Sequence, residues 1–490
     1  MVSFVVSLVA LVLGYFIYGR FVERLFGPDD RVTPARAKAD GVDFMALPTW
    51  RIYMIQFLNI AGTGPIFGAI MGAKFGPASY IWIVLGCIFA GAVHDYLGGM
   101  LSLRHGGIGL PEIIGRYLGK VSRNLLLFFS LVLMVLVGAV FVYSPALILD
   151  DFCGTTMMWI VIIFSYYAIA TLMPVKGIIG HVYPLFALSM LFMAVALLVV
   201  LLWKWPSLPE VWDGLGNKAM AVSSDWKDQL FPCMFVTISC GAVSGFHATQ
   251  SPLMARCLKN ERLGRPVFYG AMITEGVIAL IWATVGAYFF YAEPQPGYAE
   301  ITTFPNNGFL TAAPKVVNII CNEWLGVGGA VLALLGIVAA PITTGDTALR
   351  SARLMIADFF KMPQKSIRTR LVISIPLFLV CLSMLCWQIE NPDGFAVIWQ
   401  YVGLMTQTLA VFTLWAVTVY LCREGKAYAV TLIPALFMTV VCCTYLFVSR
   451  QVLALPEVVG YPLGMLSGVV ALVWFVRWKR SDMKRKNFNS

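Results

Sequence analysis

The sequence predicts an all-α polytopic membrane protein with about 13 transmembrane helices, and three observations carry that prediction. Of 490 residues, 59% are hydrophobic and 12% are charged, against roughly 25% charged in a soluble globular domain. Apolar runs of the length a bilayer core demands, about 20 residues for about 30 Å, recur along the entire chain. The Lys and Arg residues between those runs collect on one side when successive loops are assigned to alternate faces, as cytoplasmic loops do.

The runs fall at 3–22, 50–74, 78–103, 123–149, 156–175, 178–203, 230–252, 266–291, 325–345, 369–390, 394–421, 427–449 and 458–478. The first reads as a retained helix with its N-terminus outside, because its apolar stretch is long and no Lys or Arg precedes Arg20. With that start, 29 of the 35 Lys and Arg residues lie inside, and only Lys74, Lys204, Lys218, Lys227, Lys315 and Arg450 lie outside. A missed span in mid-chain would reverse every later loop, so the asymmetry supports an odd number of spans and a cytoplasmic C-terminus. The net charge of +10 is then a property of the face next to anionic lipid. It is not a nucleic-acid footprint, since no basic cluster sits on a soluble segment. The eleven cysteines form no CxxC or Cys/His ligand spacing and are assigned no chemistry. Four histidines are too few for a multi-histidine metal or haem centre, and no cofactor is expected.

The second run contains "NIAGTGPIFGAIMG", with Gly62, Gly64, Pro65, Gly68 and Gly72 close together. Glycine costs about 1 kcal/mol and proline about 3 in a helix interior relative to alanine, so this span is expected to break. Five spans later "TISCGAVSGFHATQSP" repeats the pattern with Gly241, Gly245 and Pro252. Two interrupted helices at matching places in two five-helix units of opposite orientation are the sequence mark of an inverted-repeat transporter. Backbone groups freed by the breaks cannot face lipid and are expected to line a polar site at mid-membrane. Gly86, Gly91 and Gly98 are read instead as close-packing positions.

The segments "NIAGTGPIFGAI", "AGAVHD", "ISCGAVSGFHATQSP" and "TTGDTALRSARL" resemble those of the carbon starvation A family of bacterial inner-membrane transporters, and the likeness runs from about Val2 to Val448. The resemblance implies a LeuT-like 5+5 inverted repeat with one extra N-terminal and two extra C-terminal helices. Its units are 1–49, a first repeat at 50–205, an external loop at 206–229, a second repeat at 230–421 with an external lid loop at 292–324, and 422–490. It implies uptake of a peptide or pyruvate when carbon is scarce, with H⁺ or Na⁺ as coupling ion, and leaves both pairs of alternatives open. It also implies that hydroxyls of Thr343 and Thr344, taken to close the ninth span, join carbonyls of the segment Ala61 to Thr63 around sodium.

Gln56 and Asn59, one turn before the first break, are candidate cargo contacts together with Gly62, Thr63, Gly64, Gly241, Ser244 and Gly245. His247, beside the second break, is a candidate donor to an anionic cargo. Asp95 and Glu275 are carboxyls within the membrane, where charge is costly and usually functional, and are the candidate proton-coupling groups. His94 and Asp95 are adjacent on a helix, about 100° apart, and are not expected to form a dyad. Asp346 is expected to pair with Arg350 and Arg353 on the next turn. Of rival functions, an intramembrane aspartyl protease would need Gly-x-Gly-Asp where this chain has "TTGD", and HExxH, GxSxG and a Walker A loop are absent from the sequence. A channel or nutrient sensor is the other alternative, and an enzyme is not expected.

Overall fold

The computed structural model describes residues 1–41, 43–150, 154–172, 178–215, 229–291, 308–364, 366–391 and 394–489. Among them, regular structure is helical throughout. The chain opens with α1 (Val2–Phe26), then the bent pair α2 (Thr49–Ala61) and α3 (Gly64–Phe75), which meet at 51°. Next come α4 (Ala78–Arg104), α5 (Lys120–Asp150), α6 (Thr156–Leu172) and α7 (Ile178–Lys204). A short helical stretch, Leu230 to Thr237, and an irregular segment lead into α8 (Phe246–Ala255). Then follow α9 (Gly270–Tyr291), α10 (Gly308–Phe360), α11 (Ile367–Glu390), α12 (Gly394–Arg423), α13 (Ala429–Val448) and α14 (Glu457–Asn489).

Among the described residues, ten helices are long and apolar enough to cross a membrane, eleven when the bent pair is one span. The two remaining expected runs fall on α6, apolar but only 17 residues long, and on the interrupted segment ending in α8. Burial separates a core from a periphery: 83% of the apolar window of α4 and 78% of that of the helix containing α9 are buried, against 28% for α1 and 22% for α14. The helices next to the breaks are therefore sheathed by protein, and the outer ones present Val, Leu and Ile to lipid.

One expectation is corrected here. The ninth span does not end near residue 345: α10 bends at Gly326 (φ 61°) and continues to Phe360, so Thr343 and Thr344 sit inside a helix. It continues because Arg350 and Arg353, both 1% exposed, are accommodated within protein. Arg350 Nη2 donates to Ala170 O at 2.5 Å, and Arg353 Nη1 to Gln364 Oε1 at 2.9 Å. Asp346 accepts hydrogen bonds from the hydroxyls of Tyr183 at 2.5 Å and Thr171 at 3.4 Å, on α7 and α6, and Arg350 and Arg353 also act on it electrostatically. Residues 292–307 of the expected lid at 292–324 and residues 216–228 of the 206–229 loop lie outside the described residues.

Loops expected on one side meet at one end. Glu261, fully buried, pairs with Arg104 at 3.1 Å and Arg31 at 3.4 Å and accepts from Asp29 N. Arg104 also donates to Gly27 O and Tyr420 Oη. At the opposite end Glu210 accepts from the backbone of Val2 and Ser3 at 2.9 and 2.7 Å, and Gln229 donates to Glu457 at 2.7 Å.

The buried clamp makes a prediction. Glu261→Gln leaves Arg104, only 12% exposed, without its anion, while Arg31 keeps Asp29; breaking a buried pair costs about 3–5 kcal/mol. Asp30→Asn breaks an exposed pair with Arg262 (2.7 Å) and should cost less than about 1 kcal/mol. Thermal midpoints in detergent should fall clearly for the first and hardly for the second; equal shifts would refute the clamp.

Candidate transport site

α2 stops at Ala61, and Gly62 (φ 12°, ψ −145°) turns the chain out of the helix. α3 restarts at Gly64 with Pro65 in its first turn, where the missing N–H of proline removes no helical bond. Ile66 and Phe67 donate to Thr63 O at 3.2 and 2.8 Å. Around this break lies a set of fully buried polar atoms without a hydrogen-bond partner among the described residues: both amide atoms of Asn59, Thr63 Oγ1 and Gln56 Oε1. Gln56 Nε2 donates to Ser251 Oγ at 3.3 Å. Buried polar atoms ordinarily find partners, so this cluster points to cargo or water.

The second helix breaks at Ile238, and Gly241 takes φ +90°, a left-handed conformation that glycine adopts without penalty. Side chains and neighbouring backbone satisfy the freed groups. Trp82 Nε1 donates to Ile238 O at 2.9 Å, Gln407 Nε2 to Phe235 O at 3.0 Å, and Gly245 N to Thr406 O at 3.1 Å. The breaks press on each other: a Cβ on Gly64 would overlap Cys240, and one on Gly68 would lie 2.9 Å from Thr237 O. Gly91 brings α4 against Ala242 O with the same lack of space, and Gly245 is enclosed by the backbone of α12 at Thr406 to Ala410. Ser244, fully buried, lies 3.7 Å from Cys240 Sγ.

The structure joins Asp95, His247 and Glu275 into one chain. Asp95 Oδ2 meets His247 Nδ1 at 2.8 Å, and His247 Nε2 faces Glu275 Oε2 at 3.3 Å. His94 Nδ1 meets the other oxygen, Asp95 Oδ1, at 2.7 Å. All four side chains are within protein, none more than 1% exposed. The adjacency of His94 and Asp95 was expected to keep them apart. It does not, because a carboxylate has two oxygens and one points back along the helix to its neighbour while the other points across to α8. His247, expected to donate to cargo, instead turns both ring nitrogens toward protein carboxylates. The chain spans three elements: α4 supplies His94 and Asp95, α8 supplies His247, and α9 supplies Glu275.

Cys240 was assigned no chemistry by its sequence context, yet its sulfur, His247 and Glu275 offer ligand atoms all within 4.8 Å of one another. The signal available was its position seven residues before His247 across a glycine-rich break. The threonines divide. Thr344 Oγ1 donates to Leu58 O on α2 at 3.0 Å and lies near Gly62. Thr343 Oγ1 turns back to Ala339 O and Ala340 O on its own helix, both at 2.9 Å. Ala61 and Thr63 lie at the break itself, both fully buried.

The family model described as Carbon starvation protein CstA matches residues 1–148, 142–296 and 302–445. An "uncharacterized membrane protein" of Haemophilus influenzae is 44% identical over 60% of the chain and 92% of its own length. The "Peptide transporter CstA" of Bacillus subtilis is 27% identical over 96% of the chain and 94% of its own length. The "Pyruvate/proton symporter BtsT" of Escherichia coli is 27% identical over 56% of the chain and 48% of its own length. Among solved structures, a Na⁺-coupled sialic acid symporter in its substrate-bound outward-open state superimposes with a TM-score of 0.55, covering 96% of each chain at 13% identity. The fold is therefore that of the LeuT-like transporters.

The close approaches predict which glycines are indispensable. Gly245→Ala places a methyl group in the backbone of α12 and should abolish uptake, as should the larger changes Gly64→Leu and Gly245→Leu. At Gly98 the nearest atom to an added Cβ is Thr413 Cγ2 at 3.5 Å, and Gly98→Ala should retain uptake. Whole-cell uptake normalised to membrane-inserted protein separates the cases, and normal uptake by Gly245→Ala would contradict the contact between the second break and α12.

Proposed function

The chain belongs to the carbon starvation protein CstA family, and from that premise we propose that it carries a small carboxylate-bearing nutrient, a peptide or pyruvate, into the bacterial cytoplasm together with a proton. Secondary active transport is supported by relatives named a peptide transporter and a pyruvate/proton symporter. The cargo classes come from those relatives. The lopsided distribution of Lys and Arg supports an N-terminus outside and a C-terminus in the cytoplasm. The matching breaks support repeats at 50–205 and 230–421, a total of about 13 spans, and a lid at 292–324.

Gln56, Asn59, Gly62, Thr63 and Gly64 form the cargo site from the first break, with Gly241, Ser244 and Gly245 from the second. The N-terminal ends of α3 and α8 supply partial positive charge for the carboxylate, and the unpartnered amide of Asn59 and hydroxyl of Thr63 support polar recognition. The observation that carries the coupling reading is the buried chain Asp95–His247–Glu275. Two carboxyls share one imidazole in a low-dielectric site, where full ionisation without compensation is costly. A proton added or removed there changes which contact His247 keeps. Because His247 rides on α8, the half-helix after the second break, that change is felt as movement of the cargo site. This is the link a symporter requires.

Sodium held by Ala61, Thr63, Thr343 and Thr344 is the second reading, and the hydroxyl of Thr344 on α2 favours it. The inward-turned hydroxyl of Thr343 favours the proton.

Purified protein in liposomes, given labelled pyruvate or di- and tripeptides under an imposed proton or sodium gradient, tests both. A proton gradient alone should drive accumulation. Asp95→Asn and Glu275→Gln should lower concentrative uptake at least tenfold while sparing exchange of internal for external cargo. Sodium-driven accumulation that Thr344→Ala abolishes would overturn proton coupling, and undiminished proton-driven uptake by both amides would remove the carboxyls as its carriers.

A further inference from the structure

We propose that Cys240, His247 and Glu275 form a binding site for a divalent d-block cation of the zinc class. The site stands on ligand geometry alone and does not require the coupling reading. In a tetrahedral site with bonds of about 2.0–2.3 Å, neighbouring ligand atoms are separated by roughly 3.3–3.8 Å. His247 Nε2 and Glu275 Oε2 already stand 3.3 Å apart, and the sulfur of Cys240 lies within 4.8 Å of both. The sulfur therefore needs to approach by no more than about 1 Å to complete a tetrahedral edge.

Three independent features point to an ion. Apart from their 3.3 Å approach to each other, His247 Nε2 and the Glu275 oxygens are buried without a well-aligned hydrogen-bond partner among the described residues. His247 presents its other nitrogen, Nδ1, to Asp95 Oδ2 at 2.8 Å, the carboxylate–histidine arrangement that fixes the tautomer and aims Nε2 at a metal. Asp95 is itself fixed by His94. Finally, Cys240 is half-buried while His247 and Glu275 are fully buried, so the sulfur side is the open side, where a fourth ligand and the entry path belong.

The donor set selects the ion. Thiolate and imidazole favour zinc and its d-block neighbours, whereas magnesium and calcium need oxygen donors. Charge also balances, since Zn²⁺ with one thiolate, one carboxylate and a neutral imidazole is uncharged, and loading releases to water the thiol proton of Cys240 and the proton held between His247 Nε2 and Glu275. A bound ion would tie α8 and the strand of the second break to α9.

Zinc titration of the purified detergent-solubilised protein, untagged and in competition with a chromophoric chelator, measures the site without any cargo. One ion per chain is expected, undisturbed by millimolar Mg²⁺ or Ca²⁺. Cobalt loading should give a thiolate-to-metal charge-transfer band in the near-ultraviolet. Cys240→Ser should remove that band and weaken zinc binding at least tenfold, and Asp95→Asn should weaken it about 10- to 100-fold while keeping the band. Thermal melting checks that each variant remains folded. No stoichiometric zinc, a cobalt complex without the thiolate band, or unchanged affinity in Cys240→Ser would each overturn the site. Failure of proton coupling in liposomes would leave this result untouched.

Discussion

The structure depends on what becomes of backbone N–H and C=O groups that two helices give up at mid-membrane. In hydrocarbon each unmet group costs several kcal/mol, so a broken helix is stable only inside other helices. The protein meets that demand with specific partners. Trp82 bonds the carbonyl at the second break, Gln407 caps Phe235, and Thr406 accepts from Gly245. Gly64 makes room for the Cys240 side chain, and the glycines at 68, 91 and 245 let backbone approach backbone closely enough to exclude lipid. Everything peripheral, from α1 to α14, then serves as the sheath that keeps this centre away from the bilayer.

The same low-dielectric interior that penalises open backbone also penalises charge, and the protein concentrates its buried ionisable groups in a few clusters. At the break, three elements each contribute to the set of His94, Asp95, His247 and Glu275. At one end, Glu261 draws Arg104 and Arg31 together. Within α10, Asp346 is held by Tyr183 and Thr171. The last two clusters tie elements to one another. The first also reaches a half-helix whose start is the second break, and the proposed coupling rests on that connection.

The sequence carried the class, the breaks and the family because each has a local cause: hydropathy sets span length, and glycine with proline marks where a helix ends. Asp95 and Glu275 stood out for an equally local reason, as carboxyls amid apolar residues. What the sequence could not carry was partnership across the fold. Residues 95, 247 and 275 are far apart along the chain, and only packing of α4, α8 and α9 brings them together. Periodicity misjudged His94 because helical spacing fixes Cβ directions and not the reach of two-oxygen side chains. It ended the ninth span too early because Arg350 and Arg353 look like a boundary when their buried partners are unknown. Cys240 was passed over because a lone cysteine in an apolar run usually packs as a small hydrophobe.

The central claim is that cargo movement and proton movement are one event, joined where His247 lies between Asp95 and Glu275. It is tested most directly by recording external pH beside weakly buffered liposomes while cargo alone is given a gradient. Downhill entry of pyruvate or a small peptide should carry protons with it and raise external pH, with a proton ionophore collapsing the signal. Cargo entry at the same rate with no pH change, sodium present or absent, would contradict the account.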